Sequence, residues 1–159
     1  MPYQTRWLDD EEQELWRLLL AAVRKIDRGM DETLKAGGEV SASEFAVLVA
    51  LSEAPEQRLR LRELCTQLEW DRSRASHQVT RMEKRGLLFK EPDEDDARGI
   101  NVCVTHAGLE HLRRAAPEHM ESVRRMVFDH LKPEDIPALK RFFTGVVQVT
   151  NLPGYEGYV

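Results

Sequence analysis

The stretch EWDRSRASHQVTRMEKRGLLFKEP, residues 69–92, decides how the whole chain is interpreted. The chain carries a formal net charge of −5, yet between Trp70 and Lys90 basic residues outnumber acidic ones. The acidic residues of this window are Asp71 and Glu83. The basic residues are Arg72, Arg74, Arg81, Lys84, Arg85 and Lys90. An acidic protein that concentrates positive charge on one segment is expected to direct that segment at a negatively charged partner.

The pattern of this window predicts a helix over residues 72–85. Asp71 is a favourable N-cap, and Gly86 suits the C′ position that ends a helix. Ala75, Val79 and Met82 recur at helical spacing and form a narrow apolar stripe. Because only this stripe is apolar, we expect most of the helix surface to face outward.

The segment before this helix completes a helix-turn-helix motif. Residues 58–70, RLRLRELCTQLEW, predict a short helix followed by a brief turn. In such a motif the second helix enters the DNA major groove, where Arg recognises guanine and Gln recognises adenine. A solvated basic face without a ligand is the structural alternative. The candidate DNA-binding residues here are Arg62, Arg72, Ser73, Arg74, Ser76, His77, Gln78, Arg81 and Lys84.

The pattern then changes to one typical of a β-hairpin. LLFKE at 87–91 and INVCVT at 100–105 are short apolar or β-branched runs, and the polar segment PDEDDARG at 92–99 joins them. A basic helix followed by a hairpin indicates a winged helix-turn-helix. Arg98 near the tip is predicted to enter the minor groove, and Asp96 to orient Arg98 by an ion pair. An acidic loop without a DNA role is the alternative.

Long helices are predicted on both sides of this motif. An apolar stripe at helical spacing predicts a helix over residues 9–36, and the glycines at 37–38 should end that helix. Ser43 is the expected N-cap of the next helix. After the hairpin, Thr105 should cap a helix over 106–131 that Pro117 kinks or divides. A further amphipathic helix follows at 133–149, and the tail from 150 is predicted to be irregular. A second copy of the chain or an intramolecular bundle would cover these stripes.

Composition excludes several classes of protein. The chain is 42% hydrophobic and 32% charged, and no apolar run reaches the roughly 20 residues of a membrane span. A cytoplasmic protein without membrane association is expected. Cys65 and Cys103 belong to no CxxC pair, and no Cys/His cluster has zinc spacing, so neither a metal nor a cofactor is predicted.

The order of elements resembles that of the MarR family of bacterial transcriptional regulators, and so does the motif DRSRASHQVTRMEKRGLLFKEPDEDDARGINVCVTHAG, residues 71–108. The family pattern runs DRSxVSRxxxxLEKRGLVxRxxxxxDRRxxxVxLTxxG. The matching residues are Asp71, Arg72, Ser73, Ser76, Glu83, Lys84, Arg85, Gly86, Leu87, Asp96, Arg98, Val102, Thr105 and Gly108. Two of the departures from it matter: Ala97 replaces a usual wing arginine, and His77 stands where a basic residue is frequent.

The resemblance implies a homodimer that binds a pseudo-palindromic operator on double-stranded DNA, usually as a repressor. It divides the chain into an N-terminal dimerisation region at 1–36, a winged helix-turn-helix domain at 41–105, and C-terminal dimerisation helices and tail at 106–159. It also implies a small aromatic or phenolic effector, with Trp16, Phe45 and His111 as candidate pocket residues. For Trp16 and Phe45, ordinary core packing is the alternative. Oxidant sensing is not expected, because the first long helix lacks a cysteine.

Enzymes and adaptor proteins are the competing classes. The chain shows no nucleophile–base pair, metal cluster or phosphate-binding glycine loop, so it is not expected to be an enzyme. A dimeric helical adaptor that binds proteins through its acidic surface remains the other alternative.

Overall fold

The computed structural model describes residues 5–150. The first four residues and the tail from 151, including most of the segment predicted to be irregular, lie outside the described residues. The helices are α1 (Asp10–Gly38), α2 (Ala42–Glu53), α3 (Leu61–Leu68), α4 (Arg72–Lys84), α5 (His106–Met126) and α6 (Ile136–Val147). The strands are β1 (Arg58–Arg60), β2 (Leu88–Pro92) and β3 (Ile100–Val104). The predicted fold class, mainly α with a small β wing, is confirmed.

The chain divides into two compact units, Met1–Val123 and Arg124–Val159. In the first unit, α2 lies at the centre and contacts α1, α3, α4, β1 and β3. The core there is aliphatic, and its largest fully buried side chains are Leu34, Val40, Val47, Leu48, Leu51, Leu64, Val79, Met82, Leu87, Leu88 and Val102. This core supports both α4 and the wing.

Capping boxes fix the starts of the first two helices. At α1, Asp9 accepts a hydrogen bond from the backbone N–H of Glu12, whose carboxylate accepts one from Asp9 in return. Ser41 and Glu44 make the same reciprocal pair at α2. The prediction of Ser43 as the α2 cap was therefore wrong. Ser41 has a glutamate three residues later, which Ser43 lacks.

The glycine pair at 37–38 lies inside α1. The helix ends at Gly38, and Glu39 adopts the left-handed conformation with φ of 55°. A Cβ atom on Gly38 would lie 2.4 Å from the Cβ of Ala115 on α5. The helix thus ends at the glycine pair, as predicted, but the left-handed residue that follows it is Glu39 rather than a glycine. Gly38 also permits the end of α1 to approach α5 closely.

The wing is part of a three-stranded antiparallel sheet with strand order β1-β3-β2. β3 pairs with β2 from Leu88 opposite Val104 to Pro92 opposite Ile100, as the hairpin pattern predicted. On its other edge β3 pairs with β1, and Leu59 lies opposite Val102. The third strand was missed because the RLR segment is too short to show a strand period and was assigned to α3.

The helix that follows the wing starts at Thr105. Its hydroxyl accepts a hydrogen bond from the N–H of Gly108 and donates one to the carbonyl of Gly86. Thr105 thus caps α5, as predicted, and ties it to the end of α4. α5 continues through Pro117 as one helix, so of the two predicted effects, a kink or a division, the division does not occur. The helix ends at Met126, before the predicted residue 131.

Two helices expose apolar faces. On α1, the exposed side chains include Leu15, Trp16, Leu18 and Val23. On α6, in the second unit, Ile136, Phe142, Phe143, Val146 and Val147 are exposed. Within residues 5–150, no helix combines the length and the apolar character needed to cross a membrane.

Replacement of Gly108 by alanine is expected to destabilise the first unit by about 2 kcal/mol. The new Cβ would lie 2.1 Å from the carbonyl oxygen of Leu87 and 2.9 Å from Val104 Cγ2, so α5 would have to move away from the sheet. Thermal unfolding at one fixed protein concentration measures the effect. Gly145→Ala is the matched control, because a Cβ there meets no atom within 4 Å. Equal melting temperatures for the two variants would contradict the predicted close packing.

Candidate nucleic-acid interface

The turn between α3 and α4 is held by two adjacent cap motifs. Glu69 adopts the left-handed conformation, and the N–H of Trp70 donates to the carbonyl of Cys65 at 3.0 Å. This pair of features is a Schellman motif that ends α3. One residue later, the Asp71 carboxylate accepts from the N–H of Arg74 at 2.8 Å and starts α4. The predicted cap is confirmed, and only three residues separate the helices.

α4 buries one stripe and exposes the rest of its surface. Ala75, Val79 and Met82 are fully buried, as the spacing predicted. Ser76 is half-buried. The exposed side chains of α4 that were predicted to contact DNA are Arg72, Ser73, Arg74, His77, Arg81 and Lys84.

Gln78 departs from the expectation of an outward-facing, base-recognising side chain. It is only 5% exposed, and its carbonyl oxygen accepts a hydrogen bond from the Arg81 guanidinium at 2.5 Å. The buried stripe is therefore one residue wider than its apolar members indicate. In this position Gln78 orients Arg81 rather than facing outward itself.

Arg74 also has a side-chain partner on the protein. Its Cζ atom lies 4.3 Å from the centroid of the Trp70 ring, which is the geometry of a cation–π stack. Trp70 is partly buried against the core. No role was predicted for Trp70, although its position four residues before an arginine could have suggested this contact.

Two basic residues of the opening stretch are paired with carboxylates. Arg85 lies 2.6 Å from the largely buried Glu44 and donates a second bond to the Glu39 carbonyl. Lys90 lies 3.6 Å from Glu83, and its backbone N–H donates to the same carboxylate at 2.7 Å. These contacts tie the end of α4 to α2 and to β2. The positive charge that α4 presents outward therefore comes from Arg72, Arg74, Arg81 and Lys84.

The wing tip is organised by backbone hydrogen bonds. The Asp96 carboxylate accepts from the backbone N–H of Arg98 at 3.0 Å, as in an Asx turn. No ion pair joins the Asp96 and Arg98 side chains in the described part of the chain, so the predicted ion pair was wrong. Two residues of separation suit the Asx turn, which leaves the Arg98 guanidinium exposed.

One acid of the tip is turned towards a cation. Asp93 accepts a hydrogen bond from the N–H of Asp95 and lies 2.8 Å from the Arg60 guanidinium. The backbone hydrogen bond from Asp95, followed by the charge of Arg60, lowers the pKa of the Asp93 carboxyl. Asp93 thus remains ionised and paired, which limits the repulsion that the acidic tip would exert on phosphate.

A basic cleft brings several predicted residues together. It has a volume of about 300 Å³ and lies between α3, the start of α4 and the wing. Arg62, Arg72 and Arg98, three predicted DNA contacts from three elements, all line it. Arg60, which was not predicted to contact DNA, lines it as well. The other lining residues are Leu61, Cys65, Asp96, Gly99 and Ile100.

The candidate effector pocket contains only one of its three predicted residues. Phe45 lines an open, mainly apolar cavity of about 420 Å³ together with residues of α1, α2, α3 and α5. Trp16 is half-exposed on α1 and does not line this cavity. The Nδ1 atom of His111 lies 2.8 Å from the Gly38 carbonyl oxygen, so His111 has a structural contact instead.

His119 takes the place predicted for His111. Its ring lies 4.5 Å from that of Phe45, and burial lowers its pKa. The Nδ1 atom is buried and has no hydrogen-bond partner among residues 5–150. The helical spacing of eight residues between His111 and His119 puts both on one face of α5, but it could not distinguish which of them reaches the cavity.

Neither cysteine pairs in a disulfide bond. Cys103 is buried on β3, and burial together with the neighbouring Glu91 carboxylate raises the pKa of its thiol to about 11. A thiol in this environment stays protonated near neutral pH and is a poor nucleophile.

Comparison with known proteins identifies the family. Residues 39–99 match the model of the MarR family. Sco3205, a MarR family transcriptional regulator from Streptomyces coelicolor solved in complex with DNA, is 38% identical, with 91% of each chain covered and a TM-score of 0.87. AbsC, a MarR family regulator from the same organism, is 37% identical over 95% of this chain and 100% of its own, also with a TM-score of 0.87.

A curated relative is more distant. The HTH-type transcriptional regulator PecS of Dickeya dadantii is 30% identical over 101 residues, 62% of this chain. The chain spans 60% of the length of PecS and 58% of that of the transcriptional repressor MprA of Escherichia coli. Taken with the two near-complete structural matches, these findings show that the chain belongs to the MarR family of transcriptional regulators. The resemblance noted in the sequence is confirmed, as is the prediction that the chain is not an enzyme.

Proposed function

We propose that the protein is a sequence-specific DNA-binding regulator that acts as a homodimer on a pseudo-palindromic operator. The observation that carries this proposal is the exposed basic face of α4 beside a cleft lined by arginines of α3, α4 and the wing. Phosphate and base edges are the partners that such a surface favours. We take residues 41–105 as the DNA-binding domain, and 1–36 and 106–159 as the dimerisation regions.

Each part of the surface has a separate task in this proposal. Arg74 and Arg81 are seven residues apart on one face of α4 and would recognise base edges in the major groove, with His77 between them. Gln78 acts through Arg81. The phosphate contacts would come from Arg62 on α3 and from Arg72, Ser73, Ser76 and Lys84 on α4.

The wing would contact the adjacent minor groove. Arg98 is exposed, and the Asx turn at Asp96 fixes the direction of its backbone. A guanidinium is attracted by the strongly negative potential of a narrow minor groove. The complex of Sco3205 with DNA supports DNA as the partner, since that protein is similar over nearly the whole chain. Repression is the mode we expect.

Removal of the wing cation tests DNA binding. Selection from a random duplex pool would supply the operator, which should contain two half-sites about one helical turn, or roughly 34 Å, apart. On that duplex, Arg98→Ala should weaken binding on the order of tenfold and reduce the slope of log K against log salt by about 1, because one cation is lost. Gel-shift titrations at several salt concentrations measure both quantities.

The control is Arg28→Ala, which removes an exposed arginine of α1 that pairs only loosely with Glu32. It should leave both the affinity and the slope unchanged. If the wild-type protein bound no duplex in a salt-sensitive way, the adaptor class would be favoured and the proposal would be wrong.

The exposed apolar faces of α1 and α6 support a homodimer. An isolated chain would leave Phe142, Phe143, Val146 and Trp16 in water, which is unfavourable for large apolar side chains. A two-fold symmetric interface would bury the same faces from both copies. It would also hold the two copies of α4 at a fixed separation, as two half-sites require.

Charge introduced into the α6 face should dissociate the dimer. The double variant Phe142→Glu/Val146→Glu is expected to sediment as a monomer where the wild-type protein sediments as a dimer, because each buried carboxylate would cost several kcal/mol. Lys140→Glu, an exposed charge change on the same helix, is the control and should remain dimeric. A monomeric wild-type protein at micromolar concentration would contradict the proposed interface.

The cavity beside Phe45 is our candidate effector site. Its walls are mainly apolar, Phe45 and His119 supply aromatic surface, and the His119 Nδ1 atom has no protein partner among the described residues. These features suit a small aromatic molecule with one hydrogen-bonding group, such as a phenol. A ligand that favours one position of the helices around the cavity would change the separation of the two α4 helices and so the affinity for DNA.

A matched pair of probes tests the polar contact. We expect p-cresol to bind more tightly than toluene, because its hydroxyl can bond to His119 and the two rings are otherwise alike. His119→Phe keeps an aromatic ring beside Phe45 and should abolish the difference. Isothermal titration measures both affinities. Equal affinity of the wild-type protein for the two probes would remove His119 from the site.

A further inference from the structure

We propose that Trp70 determines base preference without contacting DNA, by holding the Arg74 guanidinium in the orientation that recognises one base. This inference rests on the proposed function, since it assigns a positioning residue to the same surface. The structural observation is the stack of the Arg74 guanidinium on the Trp70 ring, with 4.3 Å between Cζ and the ring centroid.

The position of the Trp70 ring is fixed by the turn. Its backbone N–H closes the Schellman motif on Cys65, and the next residue is the N-cap of α4. Its side chain packs against the core. Because the backbone on both sides is held and the ring is partly buried, Trp70 is a rigid platform at the start of the recognition helix.

Arg74 depends on this platform for its orientation. Its backbone N–H is bonded to the Asp71 carboxylate. Among residues 5–150, no carboxylate forms an ion pair with its guanidinium, so the stack on Trp70 is its side-chain contact. A guanidinium stacked through its face keeps the N–H groups at its edge free to donate. The stack therefore restricts the side chain before DNA binds and leaves its recognition edge available.

The outward cations of α4 are of two kinds, those with a side-chain contact to the protein and those without one among the described residues. Arg74 is held by Trp70, and Arg81 is held by Gln78. For Arg72 and Lys84, at the two ends of the helix, the described part of the chain shows no such side-chain contact. An oriented guanidinium suits bidentate recognition of guanine, whereas a freely moving cation suits a phosphate, which tolerates many geometries. We therefore assign Arg74 and Arg81 to base recognition, and Arg72 and Lys84 to the phosphate backbone of the DNA.

Selection of bound duplexes from a random pool tests the role of Trp70. The full-length wild-type protein is compared with Trp70→Leu, Trp70→Phe, Arg74→Ala and the double variant Trp70→Leu/Arg74→Ala. At one half-site position, Trp70→Leu should reduce the preference for guanine over the second most preferred base by about three- to tenfold. This is the change expected from loss of one cation–π contact. Arg74→Ala should relax the same position, and the double variant should add nothing further.

Two control variants distinguish a loss of Arg74 orientation from a general loss of structure. Trp70→Phe retains an aromatic face and should keep most of the preference. Lys140→Glu changes an exposed residue that is not expected to affect the dimer, and it should leave the selected sequence unchanged. A purely structural role for Trp70 would lower affinity evenly at all positions, and that outcome would overturn the inference, as would an unchanged preference in folded Trp70→Leu.

A spectroscopic measurement covers the case in which Trp70→Leu does not fold. In the background Trp7→Phe/Trp16→Phe, Trp70 is the sole tryptophan of the chain. Arg74→Ala in this background should change the Trp70 emission and increase its quenching by acrylamide, because the guanidinium no longer covers the ring. Unchanged emission and quenching would overturn the inference. A wild-type protein that enriches no duplex would instead overturn the proposed function, and this inference with it.

Discussion

Ala75, Val79 and Met82 have no solvent-exposed surface, and their burial against the core of the first unit sets the rotation of α4 about its own axis. Every other side chain on the helix takes its direction from that rotation, because successive residues turn by a fixed angle. Burial of these three apolar side chains stabilises this rotation by several kcal/mol. The interactions of the outward charges are weaker in water and cannot outweigh it. The chemistry that α4 presents to solvent is therefore a consequence of core packing.

The ends of α4 are fixed as firmly as its buried face. The Schellman motif and the Asp71 cap hold its start, while Arg85 joins its end to Glu44 of α2 and to the carbonyl of Glu39, the residue that follows α1. Glu83 joins it to the wing at Lys90. A movement of α2, which also lines the apolar cavity beside Phe45, would act directly on α4 through these contacts. This physical connection is what ligand control of DNA binding would need.

The sequence predicted those parts of the fold that local patterns encode. Asp71, Gly86 and the stripe on α4 act within one helix, and the alternation of Ile100, Val102 and Val104 indicated a strand. Features that depend on tertiary contacts were missed or wrong. The three residues of β1 show no period, and they form a strand only because β3 lies beside them. The cap of α2 was an exception, since Glu44 already marked Ser41 in the sequence.

The features of the candidate site were likewise predicted where they depend on local patterns and missed where they depend on tertiary contacts. Exposure of Arg72, Arg74, Arg81 and Lys84 follows from helical periodicity and was predicted. The burial of Gln78 was not, because an amide beside a narrow stripe can face either way until its partner is known. The Asx turn at Asp96 and the choice of His119 over His111 depend on atomic distances that residue types do not specify.

The contacts of Gln78 and Trp70 have a consequence for the divergence of related regulators. Two proteins could keep the same outward side chains on α4 and still prefer different operators, if the residues behind Arg74 and Arg81 differ. A comparison restricted to DNA-facing positions would group such proteins together. Operator preference could then change during evolution through single substitutions at residues that never touch the nucleic acid.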